Sequence, residues 1–233
     1  MSGVTIVGAV ALVTGGQRGL GKAFAAELLH RGAAKVYVTA REPLPTGDER
    51  LIPIALEVTD AAAIVSLAAK LTDVTIVINN AGASGGAPLL TAEIADVQNL
   101  FDINVFGPLR IAQAFAPVLR ANGGGALVNI HSALSWASGA GTYGATKAAL
   151  WSITNTLRLD LEPQGTQVVG VHLGYADTDM TRGVTAPKIA PSQVATALLD
   201  GLESGQTEVL ADETSRYFKS VLSGPVERLS VRG

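Results

Sequence analysis

Tyr143 and Lys147 stand four positions apart in Tyr143-Gly144-Ala145-Thr146-Lys147, at the opening of a long helical pattern. Positions i and i+4 share one face of a helix, one turn apart, so this spacing sets a phenol beside an ammonium. A tyrosine hydroxyl ordinarily titrates near ~10, and a cation close by favours the phenolate and lowers that value. Such a tyrosine can give or take a proton near neutral pH. The plain alternative is a tyrosine and a lysine on a solvated helix face, and two fixed residues in five are weak evidence alone. A second stretch, Thr14-Gly15-Gly16-Gln17-Arg18-Gly19-Leu20-Gly21, could hold a phosphate. Gly15, Gly19 and Gly21 let the backbone turn tightly and approach an anion closely. A helix N-terminus behind them offers free N–H groups and a positive dipole end. Here the alternative is an ordinary strand-to-helix turn.

The elements that must position these groups alternate along the chain. Val4–Val13 is a continuous apolar, β-branched run that suits a strand buried on both faces. The glycine stretch follows, then a helix through Ala23, Phe24, Leu28 and Leu29, stopped at Gly32. Lys35–Ala40 and Leu51–Val58 read as strands, with a proline-containing loop over 41–50 between them. Thr59 and Asp60 cap an alanine-rich helix to about Leu71. Val74–Asn79 is a fourth strand ending at Asn79-Asn80-Ala81-Gly82, and a long helix runs from Thr91 to about Arg120 despite Pro108 and Pro117. Ala126–Ile130 is a fifth strand with Ser132 just beyond it. The helix from Tyr143 to about Glu162, the strand Gln167–Leu173, the helix Pro191–Glu203 and the short strand Glu208–Leu210 complete the pattern. Residues 174–190 read as irregular, and 211–233 carry no assignment. Strands alternating with helices specify βαβ units and a parallel sheet, doubly wound through right-handed crossovers. The fold class is therefore α/β, a mainly parallel seven-stranded Rossmann-type sheet with helices on both faces. Ligands of such sheets bind at the carboxyl ends of the strands, where the punctuated segments all fall.

Composition narrows the function. Apolar residues make up 48% of the 233 and charged ones 16%, which specifies a folded globule, read as one dinucleotide-binding and catalytic domain over 1–233. A net charge of −3 with no basic run lacks the footprint of a nucleic-acid or anionic-membrane partner. No cysteine is present, so thiol catalysis and cysteine metal sites are excluded. No apolar run reaches the ~20 residues of a membrane helix, and Met1–Val13 lacks a basic leader region. The expectation is a soluble, cytoplasmic protein.

The glycine spacing, Asn79-Asn80-Ala81-Gly82, Ser132 and Tyr143-x-x-x-Lys147, in that order, resemble the short-chain dehydrogenase/reductase family from about Val10 to Leu210. The resemblance implies a nicotinamide cofactor and carbonyl/alcohol oxidoreduction. It implies that Tyr143 is the acid/base, that Lys147 lowers its pKa and holds the nicotinamide ribose, and that Ser132 hydrogen-bonds the reacting oxygen. Asn104, in Asp102-Ile103-Asn104-Val105, matches the asparagine of a water relay near the lysine. Cofactor contacts are implied for Thr14, Gly15, Gln17, Arg18, Gly19, Leu20, Gly21, Glu57, Val58, Asn80, Ala81, Gly82, Tyr143, Lys147, Gly174 and Thr178. The roles agree with charge balance: hydride addition to a carbonyl builds negative charge on oxygen, to which Ser132 and Tyr143 can donate.

Enzymes that use NAD place an acid at the end of the second strand, and here Ala40 stands there, followed by Arg41. With Arg18 in the glycine loop, two arginines suit a 2′-phosphate, so NADP(H) is the expected cofactor. Surface arginines are the alternative. Three features depart from the family pattern. Glu57 stands where aspartate is usual, Leu173-Gly174 replaces Pro-Gly, and Tyr143 follows Ser132 by only eleven positions. The shortened loop could widen the substrate mouth or misplace Ser132, with Ser135 and Ser138 as weaker candidates. His131 and His172 have no carboxylate at ligand spacing and read as strand-end residues, though His131 could line the pocket; no metal is expected. Trp151 reads as core or subunit interface. Segments 83–90, 133–141 and 175–190, with Leu134, Trp136, Tyr175 and Met180 as larger walls, suit a small apolar carbonyl or alcohol. The family likeness implies a homodimer or homotetramer. An NADP sensor or scaffold without turnover remains the alternative function. A halohydrin dehalogenase is disfavoured by the glycine loop and Lys147.

Overall fold

The computed structural model describes residues 3–85 and 87–231. Met1, Ser2, Gly86, Arg232 and Gly233 lie outside them, so the readings of the opening run, of the 83–90 wall and of the tail apply here only to their described parts. Seven strands form one sheet: β1 (Val10–Val13), β2 (Lys35–Ala40), β3 (Leu51–Ala55), β4 (Ile76–Asn79), β5 (Ala126–Ile130), β6 (Gln167–His172) and β9 (Glu208–Leu210). Their order is β3-β2-β1-β4-β5-β6-β9, and every neighbouring pair is parallel. This is the expected doubly wound α/β sheet, with its switch in strand order between β1 and β4.

Alternation along β1 shows why the strands are apolar throughout. Ala11 and Val13 point into one core, with Phe24 and Leu28 of α1 (Gly19–His30) and Val194 and Leu198 of α6 (Pro191–Glu203). Leu12 points into the other, with Ile64 of α2 (Ala61–Lys70), Ile111 and Phe115 of α4 (Gly107–Ala121) and Leu161 of α5 (Gly141–Leu161). Burial on both faces leaves no polar face to read from periodicity.

Several expected bounds move. The run Val4–Val13 is interrupted: Gly8 is left-handed at φ 77°, Ala9 N–H closes a turn on the Ile6 carbonyl, and Val7 is exposed. Only Val10–Val13 pairs in the sheet. The long helix is α3 (Ile94–Phe101) and α4 joined without a break by a π-helical turn, Asp102–Phe106. Pro108 has no N–H to return to Asn104, four residues back, and a widened turn accommodates its ring. Residues 174–190 hold a small parallel pair, β7 (Tyr175–Ala176) with β8 (Lys188–Ile189), and a 3-10 turn at Asp179–Thr181. The unassigned tail contains α7 (Glu213–Val221), capped where Asp212 accepts the Ser215 N–H at 2.8 Å, and a 3-10 turn at Val226–Leu229.

Candidate active site

The glycine stretch joins β1 to α1 at the carboxyl edge of the sheet. Gly15 and Gly19 are left-handed, at φ 62° and 51°. A Cβ on Gly21 would sit 2.2 Å from the Gly15 carbonyl oxygen, so no side chain fits inside the loop. Arg18 precedes α1 without capping it, and the first turn carries no acidic side chain. An uncapped, positive helix end behind a bare backbone loop fits a diphosphate. The floor is built by Thr14, whose Oγ1 accepts the N–H groups of Asn80 and Ala81, each at 3.0 Å. Asn80 Nδ2 donates back to the Thr14 carbonyl at 2.9 Å. Gln17 is tied to Leu44 by two bonds, donating at 2.6 Å and accepting at 2.9 Å, which fixes the 41–44 segment beside the loop. Arg18 is exposed, and Arg41 is 77% exposed with its Nε 4.0 Å from Glu57. Both guanidiniums are therefore open to a phosphate. Val58 is buried against Gly107.

Ser132, Tyr143, Lys147 and Asn104 converge beyond β4 and β5. Ser132 and Lys147 are buried, and Tyr143 is partly so. Ser132 lies close enough to the Tyr143 phenol to act on its ionisation, while the Ser132 hydroxyl itself accepts the Leu134 N–H at 3.1 Å and reaches the Leu173 carbonyl at 3.4 Å. Asn104, on the π turn, brackets Ala83: its Oδ1 accepts the Ala83 N–H and its Nδ2 donates to the Ala83 carbonyl, both at 2.9 Å. Nδ2 also reaches Thr146 Oγ1 at 3.1 Å, and Thr146 donates to the Tyr143 carbonyl at 2.7 Å. Thr146, inside the Tyr-Lys motif, thus stitches the asparagine to the helix that carries Tyr143 and Lys147. Sequence reasoning missed it because Asn104, the partner that gives it this role, lies 42 positions away in the chain.

The shift of the Tyr143 phenol is dominated by burial rather than by Lys147. Burial pushes that phenol up to about 12; Ser132 opposes the rise and Tyr175 adds to it. The lysine Nζ lies 5.7 Å from the Tyr143 ring centre and donates to the Ile130 carbonyl at 2.8 Å. It is itself brought down to about 8 by burial. Helical spacing places the two side chains on one face, but it does not decide where the flexible lysine stem turns.

Beyond β6, Thr178 Cγ2 would meet a Cβ on Gly19 at 3.2 Å, so the 174–178 turn faces the glycine loop. A cleft of about 490 Å³ opens there, lined by Gly19, Asp177, Thr178, Asp179, Arg182 and Lys188. Tyr175 and Met180 are exposed, but Trp136, expected as a wall, is buried. It is 5% exposed and packs with Ala133, Phe218 and Trp151. His131 does not line a pocket either: it is buried and stacks on His172 at 4.7 Å across neighbouring strands. The shortened loop is held compactly. Ser135 Oγ accepts the Ser132 N–H at 3.4 Å, while Ser138 N–H donates to the Leu229 carbonyl at 2.7 Å. Asp212, which the sequence reading passed over, accepts the Gly174 N–H at 2.7 Å and so secures the turn leading to Thr178. Its signal was the Asp212-x-x-Ser215 cap. Among the described residues no cluster of acidic or histidine side chains could hold a metal ion, and no helix is long and apolar enough to cross a membrane.

This arrangement of glycine loop, Asn-Ala-Gly turn, serine and Tyr-x-x-x-Lys helix defines a class. The short chain dehydrogenase family profile matches residues 9–189, and the chain belongs to that family of oxidoreductases. A short chain dehydrogenase from Burkholderia cenocepacia J2315, solved in complex with NADP, superposes with a TM-score of 0.89 at 34% identity, over 98% of this chain and 97% of that one. A short-chain dehydrogenase from Sphingobium yanoikuyae, solved with NADPH, gives 0.82 at 25% identity, over 93% and 92%. Among relatives, the 1-deoxy-11-beta-hydroxypentalenate dehydrogenase of Streptomyces avermitilis is 32% identical, across 88% of this chain and 77% of its own length. A short-chain dehydrogenase of Penicillium crustosum is 37% identical across 72% of this chain, which spans 65% of that relative.

Proposed function

We propose that this protein is an NADP(H)-dependent oxidoreductase that reversibly reduces a small apolar ketone or aldehyde to an alcohol, with Tyr143 as the acid/base. The observation that carries the reading is the neighbouring Ser132 and Tyr143 hydroxyls, on a chain whose bare glycine loop fits a diphosphate. NADP(H) is supported by the open loop, by the exposed Arg18 and Arg41, and by the cofactors bound in the two similar structures. Thr14, Gly15, Gln17, Arg18, Gly19, Leu20, Gly21 and Arg41 would hold its phosphates; Glu57, Val58, Asn80, Ala81, Gly82, Gly174, Thr178 and Lys147 would hold the rest. When bound, the nicotinamide supplies or receives the hydride.

The chain's own residues handle the oxygen. A phenol pushed up to about 12 stays protonated at neutral pH, which is the form that reduction needs. Ser132 and Tyr143 donate to the carbonyl oxygen, and the tyrosine proton passes to it as negative charge builds. Lys147, still mostly protonated below about 8, supplies the positive charge that favours the phenolate left behind. Asn104 keeps the Ala83 turn and the Thr146 segment in register around the lysine. One domain would serve both binding and chemistry, and a cytoplasmic homodimer or homotetramer belongs to the same reading.

One observation favours the alternative, an NADP-binding protein without turnover: the Lys147 ammonium is turned to Ile130 rather than to the phenol. NADPH oxidation measured against a panel of aryl ketones, aliphatic ketones, aldehydes and diketones, with NADH in parallel, separates the two. Turnover with NADPH that drops at least ~100-fold in Tyr143→Phe is the expected result. Near wild-type turnover in that variant would sink the mechanism, and tight NADPH binding with no turnover across the panel would favour the alternative.

A further inference from the structure

The Ser132 turn is braced from behind by groups that the catalytic set does not use. His172, fully buried on β6, brings Nδ1 to 3.2 Å from the Ser132 carbonyl oxygen. The same oxygen accepts the Ser135 N–H at 3.0 Å. A carbonyl oxygen only accepts, so Nδ1 must carry the proton. The other nitrogen, Nε2, has no hydrogen-bond partner among the described residues. Glu208 Oε1 lies 3.7 Å from it, beyond hydrogen-bond reach, and the second oxygen of that carboxylate takes Lys219 Nζ at 2.6 Å. Flat neighbours fix the plane of the imidazole. Trp136 stacks on it at 4.0 Å with 16° between the planes, and His131 lies against it at 4.7 Å and 25°. Trp136 is in turn held edge-on by Trp151 at 5.8 Å, with Lys219 5.1 Å from its ring centre.

We propose that His172 is a positioning residue for Ser132: its Nδ1–H pins the Ser132 carbonyl, and so fixes the turn that presents the Ser132 hydroxyl to Tyr143. The carbonyl belongs to the peptide that follows Ser132, and the turn is the start of the shortened loop. With few residues to hold that peptide in place, two donors on one oxygen oppose its rotation. Ser132 Oγ, which accepts the Leu134 N–H at 3.1 Å, is carried by the same turn. An aliphatic side chain could fill the slot under Trp136 without leaving a buried nitrogen unpaired, so the imidazole is explained by its donor. Burial keeps the ring neutral: it brings His172 down to about 4, the Ser132 carbonyl and Glu208 oppose this, and Lys219 and Lys147 reinforce it.

The effect on turnover rests on the reductase reading above, whereas the hydrogen bond does not. The chain has three histidines, so protein labelled with [15N]histidine gives separable ring signals, with exposed His30 as the solvent-facing reference. His172 is expected as the neutral Nδ1–H tautomer from pH 8 down to 5. An Nε2–H tautomer, or a ring protonated at pH 6, overturns the proposal. The second arm compares His172→Leu with His172→Asn, whose amide nitrogen stands as many bonds from the backbone as Nδ1. His172→Leu is expected to lower kcat about 10-fold with the NADPH Kd unchanged, and His172→Asn to recover to within about 3-fold of wild type. Wild-type kcat in the leucine variant, or no recovery in a folded asparagine variant, also overturns it. Should wild type itself show no turnover, the reductase reading fails while the tautomer still decides the hydrogen bond. The tautomer decides equally if the leucine variant does not fold.

Discussion

Lys147 is held by one carbonyl and surrounded by buried atoms, and both facts bear on when it carries charge. Burial brings its ammonium down to about 8, so the charge is present below that pH and is lost as pH rises through it. Tyr143, up at about 12, does not titrate in that range. Carbonyl reduction is therefore expected to hold level from pH 6 to 7 and to fall above about 8. Lys147→Met should lower the plateau by ~100-fold and remove the inflection. A kcat profile that stays level to pH 9.5 would show that the lysine keeps its charge. Arg41 makes a separate prediction. It is 77% exposed and only loosely paired with Glu57, so Arg41→Ala should weaken NADPH binding about 10-fold and leave NADH nearly unchanged, as read by titration. Equal losses for both cofactors would remove the 2′-phosphate from its role. At this scale the sequence is legible where spacing is local. Tyr143 and Lys147 share a face because helices repeat every 3.6 residues. The Ile130 carbonyl that takes the lysine belongs to another element, and nothing in the motif points to it.

The strand-to-helix joint at residues 14–21 is an element whose geometry depends on absent side chains. A methyl on Gly21 would lie 2.2 Å from the Gly15 carbonyl oxygen and 2.6 Å from Asn80 Nδ2. Neither the backbone oxygen nor the amide that bonds Thr14 can yield without opening the loop. Gly21→Ala is expected to weaken NADPH binding at least ~10-fold and to lower Tm, whereas Gly47→Ala, with open space around it, should change neither. Unchanged affinity in Gly21→Ala would mean that the loop can open around the added methyl without loss of cofactor. Elements were read well where apolar runs and caps agree: β2, β5, α6 and β9 keep their expected bounds, and Asp60 caps α2 by accepting the Ala63 N–H. β1 was overread because its apolar run continues through Gly8, whose left-handed backbone breaks the strand. The helix α7 escaped notice because its buried face is only Ser215, Phe218 and Val221, too narrow a stripe to show a period.

Long-range assembly produces the feature that sequence reading missed most completely. His131 and His172 are neighbours only because β5 pairs with β6, and Trp136 and Lys219 meet only because α7 folds back over the 133–138 loop. Both imidazoles are buried, which holds His172 down to about 4 and His131 well below its ordinary value. In the unfolded chain each would titrate near ~6.5. Between those limits the unfolded state binds more protons than the folded one, so stability falls as pH drops. The window set by His172 runs from about 6.5 to about 4. The exposed pairs Asp48–Arg50 and Glu213–Arg216 lower the Asp48 and Glu213 carboxylates, so their contribution is lost in more acid solution, at and below the ordinary carboxylate range. Urea midpoints measured from pH 7.5 to 4.5 are therefore expected to decline before the carboxylates protonate. His172→Asn keeps the donor to Ser132 without a titrating ring, and should flatten part of that decline. An unchanged slope in the asparagine variant would move the acid sensitivity to His131, whose two ring nitrogens have no hydrogen-bond partner among the described residues and which must be charged against the same buried strands.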